Sequence, residues 1–285
     1  GTLPAYFTTL LCTAILKCVP EDKQATALLL QSRVVIAVAC LGWRVALALA
    51  WWLRIKVEGM EAMRATMGSS GRPCIVLVNH TSFFDIILSL TVLPLAHGCR
   101  VKMMVSHHVF AMPGIGRICE AMGHLSVPFK SMDENSFEID KTAMEQKQQE
   151  LEDYVRSGQH AGWFPEGRIN PGDTHKVGVY RAGGLALAVH VDVEVWCLAM
   201  VGSAYCWPRK APVGGLPSRI GVSILRLCES SHSFLEEAEL PEDADERAKS
   251  LHLANCAHKE VQAKVDALVA KGYIGHRPSA VAAGP

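Results

Sequence analysis

The apolar positions of this chain change their period several times, and each change marks an element. Cys74-Ile75-Val76-Leu77-Val78 is a short, unbroken, partly β-branched run, the pattern of a strand buried on both faces. Phe83 to Leu93 is longer and almost wholly apolar, which predicts a helix directly after that strand. A second helix is predicted from Glu138 to Arg156, stopped by Gly158 in a left-handed cap. The apolar Ala161-Gly162-Trp163-Phe164 then reads as a strand entering a turn at Pro165-Glu166-Gly167. Ile220 to Leu225 reads as another strand, after a Pro/Gly-rich loop from Trp207 to Pro217 that either borders a substrate entrance or makes a plain surface connection. A last helix starts in the acidic stretch Glu239 to Glu246 and carries Leu251, Ala254, Val261, Val265 and Leu268 toward the sheet. It ends at Gly272, with Lys271 in its last turn. Strands alternating with helices imply an α/β fold, a mixed central sheet flanked by helices.

The N-terminal pattern is of another kind. Val34 to Leu53 is a continuous apolar segment, about 30 Å long as a helix, which matches a hydrocarbon core. Trp51-Trp52 with Arg54 and Lys56 resembles an interfacial anchor with snorkelling cations. Arg44 interrupts this segment, and at a bilayer centre it would cost roughly 2.5–3.5 kcal/mol. Arg33 and Arg44 fall on nearly the same helical face, which suits either a helix lying in one leaflet or a span whose polar face meets protein. Leu3 to Leu16 is a second apolar run, too short for an easy span. With Pro20-Glu21-Asp22-Lys23 as the turn, the two runs suit a hairpin entering one leaflet, with a spanning anchor as the open alternative. No basic leading region or cleavage site marks a signal peptide. The expected organisation is an N-terminal apolar helical membrane anchor over 1–56, a catalytic domain over 57–275 and a disordered Ala/Gly/Pro-rich tail over 276–285.

Composition narrows the partners. The 285 residues, 49% of them hydrophobic, suffice for one sizeable core. Twenty-eight basic residues balance 28 acidic ones, and no basic arm or nucleic-acid motif is present, so no nucleic acid is expected. The ten cysteines make no C-x-x-C pattern, and Cys40, Cys74 and Cys197 lie in apolar runs as reduced residues. His107-His108 lacks a nearby carboxylate or cysteine in sequence, so no metal site is expected.

The candidate chemistry sits where the first strand ends, at Asn79-His80-Thr81-Ser82-Phe83-Phe84-Asp85. Ser82 as N-cap places Asp85 in the first helical turn, where its side chain leans back toward His80. A carboxylate accepting one ring N–H fixes the tautomer and leaves the other nitrogen as a base. Ser82-x-x-Asp85 equally fits a capping box, with Asp85 merely closing a helix start. Downstream, Gly167 lets backbone approach a ligand closely, and Arg168 offers a planar fork for phosphate oxygens, against the ordinary role of a surface turn with a Glu/Arg pair.

Taken together, these two stretches resemble the glycerolipid acyltransferase family, which includes the glycerol-3-phosphate and lysophosphatidate acyltransferases. Its first block is His-x-x-x-x-Asp, as in His80 to Asp85. Its third block is Phe-Pro-Glu-Gly-Thr-Arg, seen here as Phe164-Pro165-Glu166-Gly167-Arg168, roughly 80 residues on. Tyr180-Arg181-Ala182-Gly183 resembles the aromatic-basic-x-Gly entry to the next helix. The likeness covers about residues 55 to 228. Departures lie in the phosphate blocks: no Thr precedes Arg168, the second block's Lys pair falls on Ser106 and His107, its closing Arg falls near Phe129-Lys130, and the fourth block, Trp196-Cys197-Leu198, lacks its Pro. Lys102, Lys130, Lys176 and Arg181 are the other basic candidates near these blocks.

The resemblance implies transfer of a fatty acyl group from acyl-CoA, a co-substrate rather than a cofactor, to the free hydroxyl of lysophosphatidate at a membrane. His80 would act as base and Asp85 would orient it, while Phe164, Pro165, Glu166, Gly167, Arg168 and Lys130 would bind substrate. An internal membrane is the expected location, with the site on its acyl-CoA side. Glycerol-3-phosphate or another lysophospholipid is the alternative acceptor. A non-catalytic lipid-binding protein and a hydrolase are the alternatives of other classes; no Gly-x-Ser-x-Gly elbow supports a serine esterase.

Overall fold

The computed structural model describes residues 2–132, 137–241 and 243–274. The expected tail, 276–285, lies outside the described residues. In chain order the elements are α1 Thr2–Leu16, α2 Gln24–Leu49, β1 Leu53–Glu58, α3 Met60–Thr66, β2 Cys74–Val78, α4 Phe84–Val92, α5 Leu95–Gly98 and β3 Val101–Ser106. Next come α6 His107–Ala111, α7 Ile115–Ala121, β4 Leu125–Val127, β5 Phe129–Met132, β6 Phe137–Ile139, α8 Lys141–Arg156 and β7 His160–Trp163. The last are α9 Ala186–His190, β8 Glu194–Val201, α10 Ser203–Cys206, β9 Ser218–Cys228, α11 Ser231–Glu236 and α12 Glu246–Ala270.

Seven strands form one mixed sheet in the order β1-β9-β8-β2-β7-β3-β4. β8, β2, β7, β3 and β4 run parallel, whereas β9 is antiparallel to β8 and parallel to β1. Residues of β2 and β8 alternate strictly between two cores. Ile75, Leu77, Val195, Cys197, Ala199 and Val201 meet α8, α9 and α12 on one face. Cys74, Val76, Val78, Trp196, Leu198 and Met200 meet α3, α4 and the inner side of α2 on the other. Helices on both faces of a largely parallel sheet explain why its central strands are apolar without interruption. The mixed α/β architecture is the one expected.

Boundaries differ from the sequence reading in ways that local chemistry explains. The helix expected from Glu138 begins at Lys141, because Asp140 caps it by accepting the Ala143 N–H, and Glu138 belongs to β6. In α12, Asp245 is the cap and Leu251 is exposed; the buried stripe runs through Leu253, Ala254, Ala257, Val261, Val265 and Leu268. The apolar segment Val34 to Leu53 is not one helix. α2 ends at Leu49, and Leu53, Ile55 and Val57 alternate with Arg54 and Lys56 in β1, which pairs with β9 along its whole length. Arg54 and Lys56 are therefore strand residues facing outward, and the expected division at 56/57 falls inside a strand.

The N-terminal hairpin is packed on the sheet domain through Ala5, Val35, Ile36, Ala39 and Cys40, against Ile118, Ala121 and Met122. Both arginines of α2 meet protein. Arg33 Nη2 donates to Gln159 Oε1 at 3.0 Å. Arg44 donates to the Thr91 and Leu93 carbonyls at 3.0 and 2.5 Å, filling the acceptors that the end of α4 leaves open. Among the described residues, one helical stretch, Glu21–Leu49, is long and apolar enough to cross a membrane. Its outer side exposes Leu28, Leu30, Val34, Leu41, Val45 and Leu49.

Candidate active site

β2 delivers His80 to the carboxyl end of the parallel strands, where backbone groups are unpaired and loops converge. Asp85 Oδ2 lies 3.2 Å from His80 Nδ1 and also accepts the backbone N–H groups of Thr81 and Ser82, at 2.6 and 2.8 Å. Both readings of this carboxylate are thus realised at once: it closes the start of α4 and it holds the imidazole. Ser82 Oγ accepts the Phe84 N–H at 3.1 Å and donates to the Trp207 carbonyl at 2.7 Å, so its hydroxyl is committed to structure. Asp85 Oδ1 accepts a hydrogen bond from Ser203 Oγ, which lies 3.1 Å from Thr81 Oγ1. Asp85 and Ser203 are fully buried. Four donors around one buried carboxylate satisfy it and fix its position.

The third block wraps His80 from the other side. Phe164 stacks on the imidazole with ring centres 3.9 Å apart and planes 18° off parallel. Glu166 Oε1 accepts the His80 backbone N–H at 2.8 Å, and the Asn170 N–H donates to the His80 carbonyl at 2.7 Å. The second Glu166 oxygen accepts the Gly178 N–H at 3.0 Å. A Cβ on Gly178 would stand 2.3 Å from that oxygen, so the approach requires glycine. Burial pushes the Glu166 carboxyl up to about 7, against the two N–H bonds that favour its anion. Gly167 has a positive φ of 75° at the turn, with its N–H bonded to the Phe164 carbonyl.

His80 opens onto a cavity of about 550 Å³. One part is apolar, walled by Ile86, Met104, Val109, Val127, Phe129 and Trp163, with Gly183 and Gly184 letting the wall come close. Three arginines, Arg168, Arg181 and Arg209, belong to the same lining. Burial, and then the neighbouring Arg168 charge, lower the Arg181 pKa, which marks two cations held close together. With Nδ1 held by Asp85, Nε2 is the ring nitrogen left for an occupant of this cavity.

Of the residues expected to bind substrate, Phe164, Pro165, Gly167 and Arg168 line the cavity. Glu166 does not; its carboxylate is turned into the protein by the two backbone donors. Lys130 is exposed on β5 and is not a lining residue, because the alternation of that strand gives the cavity Phe129 instead. Lys102 packs over the Tyr154 ring at 4.2 Å, and Lys176 is an exposed turn residue. Ser106 and His108 reach the cavity from the second block. The Trp207 to Pro217 loop borders it, with Arg209 in the lining and the Trp207 ring 5.9 Å from Phe83. Ser203 and the scaffolding role of Glu166 were not visible in sequence, since both depend on which strands lie side by side. Among the described residues no group of His, Cys, Asp or Glu is placed to hold a metal, and all ten cysteines are free thiols.

Comparison with known proteins bears on the chemistry. A family model described as Acyltransferase matches residues 54–201. The chain is 30% identical over 155 residues to the chloroplastic 1-acyl-sn-glycerol-3-phosphate acyltransferase BAT2 of Brassica napus, covering 53% of this chain and 38% of that protein. It is 29% identical over 158 residues to the chloroplastic 1-acyl-sn-glycerol-3-phosphate acyltransferase LPAT1 of Arabidopsis thaliana, covering 54% and 38%. The chain therefore matches little more than a third of the length of these relatives. The fold is similar to that of the 1-acyl-sn-glycerophosphate acyltransferase PlsC from Thermotoga maritima, with a TM-score of 0.59, 18% identity, and coverage of 94% of this chain and 95% of that one.

Proposed function

This chain belongs to the acyltransferase family, and from that premise we propose that it is a membrane-bound 1-acylglycerol-3-phosphate O-acyltransferase. It moves a fatty acyl group from acyl-CoA to the free hydroxyl of lysophosphatidate and so makes phosphatidate. The observation that carries this reading is His80, held at Nδ1 by buried Asp85 and opening onto a cavity that joins an apolar wall to a cluster of arginines.

In this reading His80 Nε2 takes the proton of the acceptor hydroxyl as its oxygen attacks the thioester carbonyl. Asp85 stabilises the imidazolium that forms. Collapse of the tetrahedral intermediate breaks the C–S bond, and the proton returns from His80 to the departing CoA thiolate. One ester is made and one thioester consumed, with no acyl-enzyme. Arg168 and Arg181 position the acceptor phosphate, which supplies orientation rather than bond chemistry. The apolar wall of Met104, Val127 and Trp163 receives an acyl chain. The exposed side of the α1–α2 hairpin rests in the membrane, while Arg33 and Arg44 are taken up by protein and so stay out of lipid.

The test is transfer of radiolabelled acyl-CoA by membranes containing the wild type or its His80→Ala variant, with glycerol-3-phosphate, lysophosphatidate and lysophosphatidylcholine as acceptors. Phosphatidate formed by the wild type alone supports the reading. Equal transfer by both proteins overturns the assigned base, and free fatty acid as the main product points to hydrolysis instead.

A further inference from the structure

The end of the sheet that carries His80 is also the end at which the N-terminal hairpin joins it. β1 and β9 are parallel, with Leu53 beside Ser218, and β9 is antiparallel to β8, with Val201 beside Gly221. The first residues of β1 and β9 therefore lie next to the last residues of β8 and β2, after which Ser203 and His80 follow. Two segments meet here, Trp51-Trp52 beyond α2 and the loop from Trp207 to Pro217. Trp52 Nε1 donates to the Gly215 carbonyl at 2.8 Å, and the Trp51 ring stands edge-on to that of Trp52 with centres 6.0 Å apart.

The loop is tied down from inside. Trp207 Nε1 donates to the Ala211 carbonyl at 3.0 Å, and its ring fills the space a Cβ on Gly214 would need, 2.3 Å away. The N–H groups of Gly215 and Leu216 both reach the Cys206 carbonyl, at 2.8 and 3.0 Å. On its outer side the same loop leaves Val213 74% and Leu216 54% exposed, beside Trp51 at 83%. A bonded loop that holds large aliphatic side chains in water marks a surface with another partner. The charges say which kind. Arg54, Lys56 and Lys210 are exposed around it, and the sequence has no Asp or Glu from Gln24 to Val57 or from Val195 to Cys228. Aliphatic tips, a Trp pair and cations on two segments that carry no acid suit the headgroup region of an anionic bilayer.

We propose that the Trp207–Pro217 loop is a second membrane contact. Together with Trp51 and Trp52 it seats Val213 and Leu216 in the interface of an anionic bilayer. Trp207 and Arg209 belong to this loop, and Trp207 accepts a hydrogen bond from Ser82 and meets Phe83, so seating the loop holds the cavity mouth against the lipid surface. A single-chain lipid then reaches His80 from the leaflet without leaving it. The identity of that lipid rests on the acyl-transfer reading above; the membrane contact does not.

The test uses the full chain reconstituted in phosphatidylcholine vesicles containing phosphatidate. Val213→Trp should gain fluorescence that lipids brominated in their acyl chains quench, whereas Leu251→Trp, exposed on α12, should not. Equal quenching behaviour at the two positions overturns the proposal. A Val213→Asp/Leu216→Asp variant should lose transfer to long-chain lysophosphatidate in vesicles several-fold while keeping transfer to a short-chain, water-soluble acceptor of the same headgroup. Equal loss on both acceptors overturns the proposal. So does conversion of an oligomer to a monomer by that variant without quenching at Val213→Trp, which assigns the face to a second copy of the chain. If the wild type acylates neither acceptor, the acyl-transfer reading fails while the quenching result still decides the membrane contact.

Discussion

The carboxylate of Glu166 accepts the backbone N–H of His80 at 2.8 Å, so the third sequence block holds the first by its main chain. Asn170 binds the His80 carbonyl from the same segment, and Phe164 stacks on the ring. The histidine is thereby located by backbone on both sides and by its ring face, before any substrate arrives. Such preorganisation is what positioned acid–base catalysis requires.

Replacing Glu166 by Gln should expose this role. An amide offers one acceptor where the structure uses two, so either His80 or Gly178 loses a partner, at about 1–3 kcal/mol. The expected phenotype is a lowered kcat with little change in KM for either substrate. The pH dependence has a defined sign. Burial raises the Glu166 carboxyl from 4.5 to about 7, so the native state binds the proton more tightly than the unfolded chain. Wild-type stability relative to Glu166→Gln should therefore fall as pH rises from about 4.5 to about 7, by up to roughly 3 kcal/mol. Paired denaturation curves across that range check it, and a flat difference would contradict the protonation shift.

Asp85→Asn should leave the fold and the start of α4 in place while removing the carboxylate that faces Nδ1. By analogy with other His–carboxylate pairs, kcat should fall by about three to four orders of magnitude. Single-turnover acyl transfer at saturating substrate measures it. A loss below tenfold would remove Asp85 from the mechanism.

Ser203→Ala takes the hydroxyl from Asp85 Oδ1 and leaves a fully buried carboxylate oxygen without that donor. The expected cost to transfer is on the order of tenfold, from an unmet bond of about 1–3 kcal/mol. A purely structural role would lower the unfolding midpoint without moving the pH–rate profile. A positioning role should move the limb of kcat/KM that reports the base.

Gly184 stands where a Cβ would lie 3.0 Å from the Trp163 indole nitrogen, in the apolar part of the cavity. Gly184→Val should shorten the space for a fatty chain and shift preference toward shorter acyl-CoA. Competition assays with mixed acyl chains read this directly, and an unchanged profile would place the acyl chain elsewhere.

Much of this architecture is legible in the pattern of residues. The run Cys74 to Val78 has no polar member, because β2 lies between β7 and β8 with helices over both faces. The turn at Gly167 and the stops at Gly158 and Gly272 were legible because each needs a positive φ that other residues rarely adopt. The residues His80 and Asp85 were legible as a pair because a helix start brings positions five apart into contact.

What could not be read depended on distance along the chain. Apolarity alone joined α2 to β1 in one segment, because an apolar helix and the apolar start of a strand share composition and only pairing with β9 separates them. The cap at Asp140 outweighed the run from Glu138. Glu166 as a clamp, Ser203 as a donor to Asp85 and Arg44 as the cap of α4 are contacts across 86, 118 and up to 49 residues of chain. Local periodicity carries no information about such contacts. The sequence by itself determined the elements, the His80–Asp85 pair and the family resemblance, since these rest on neighbours within one or two turns. Tertiary structure alone decided which carboxylate holds the His80 ring and which holds its backbone, because burial and strand order, rather than residue type, set a side chain's partners.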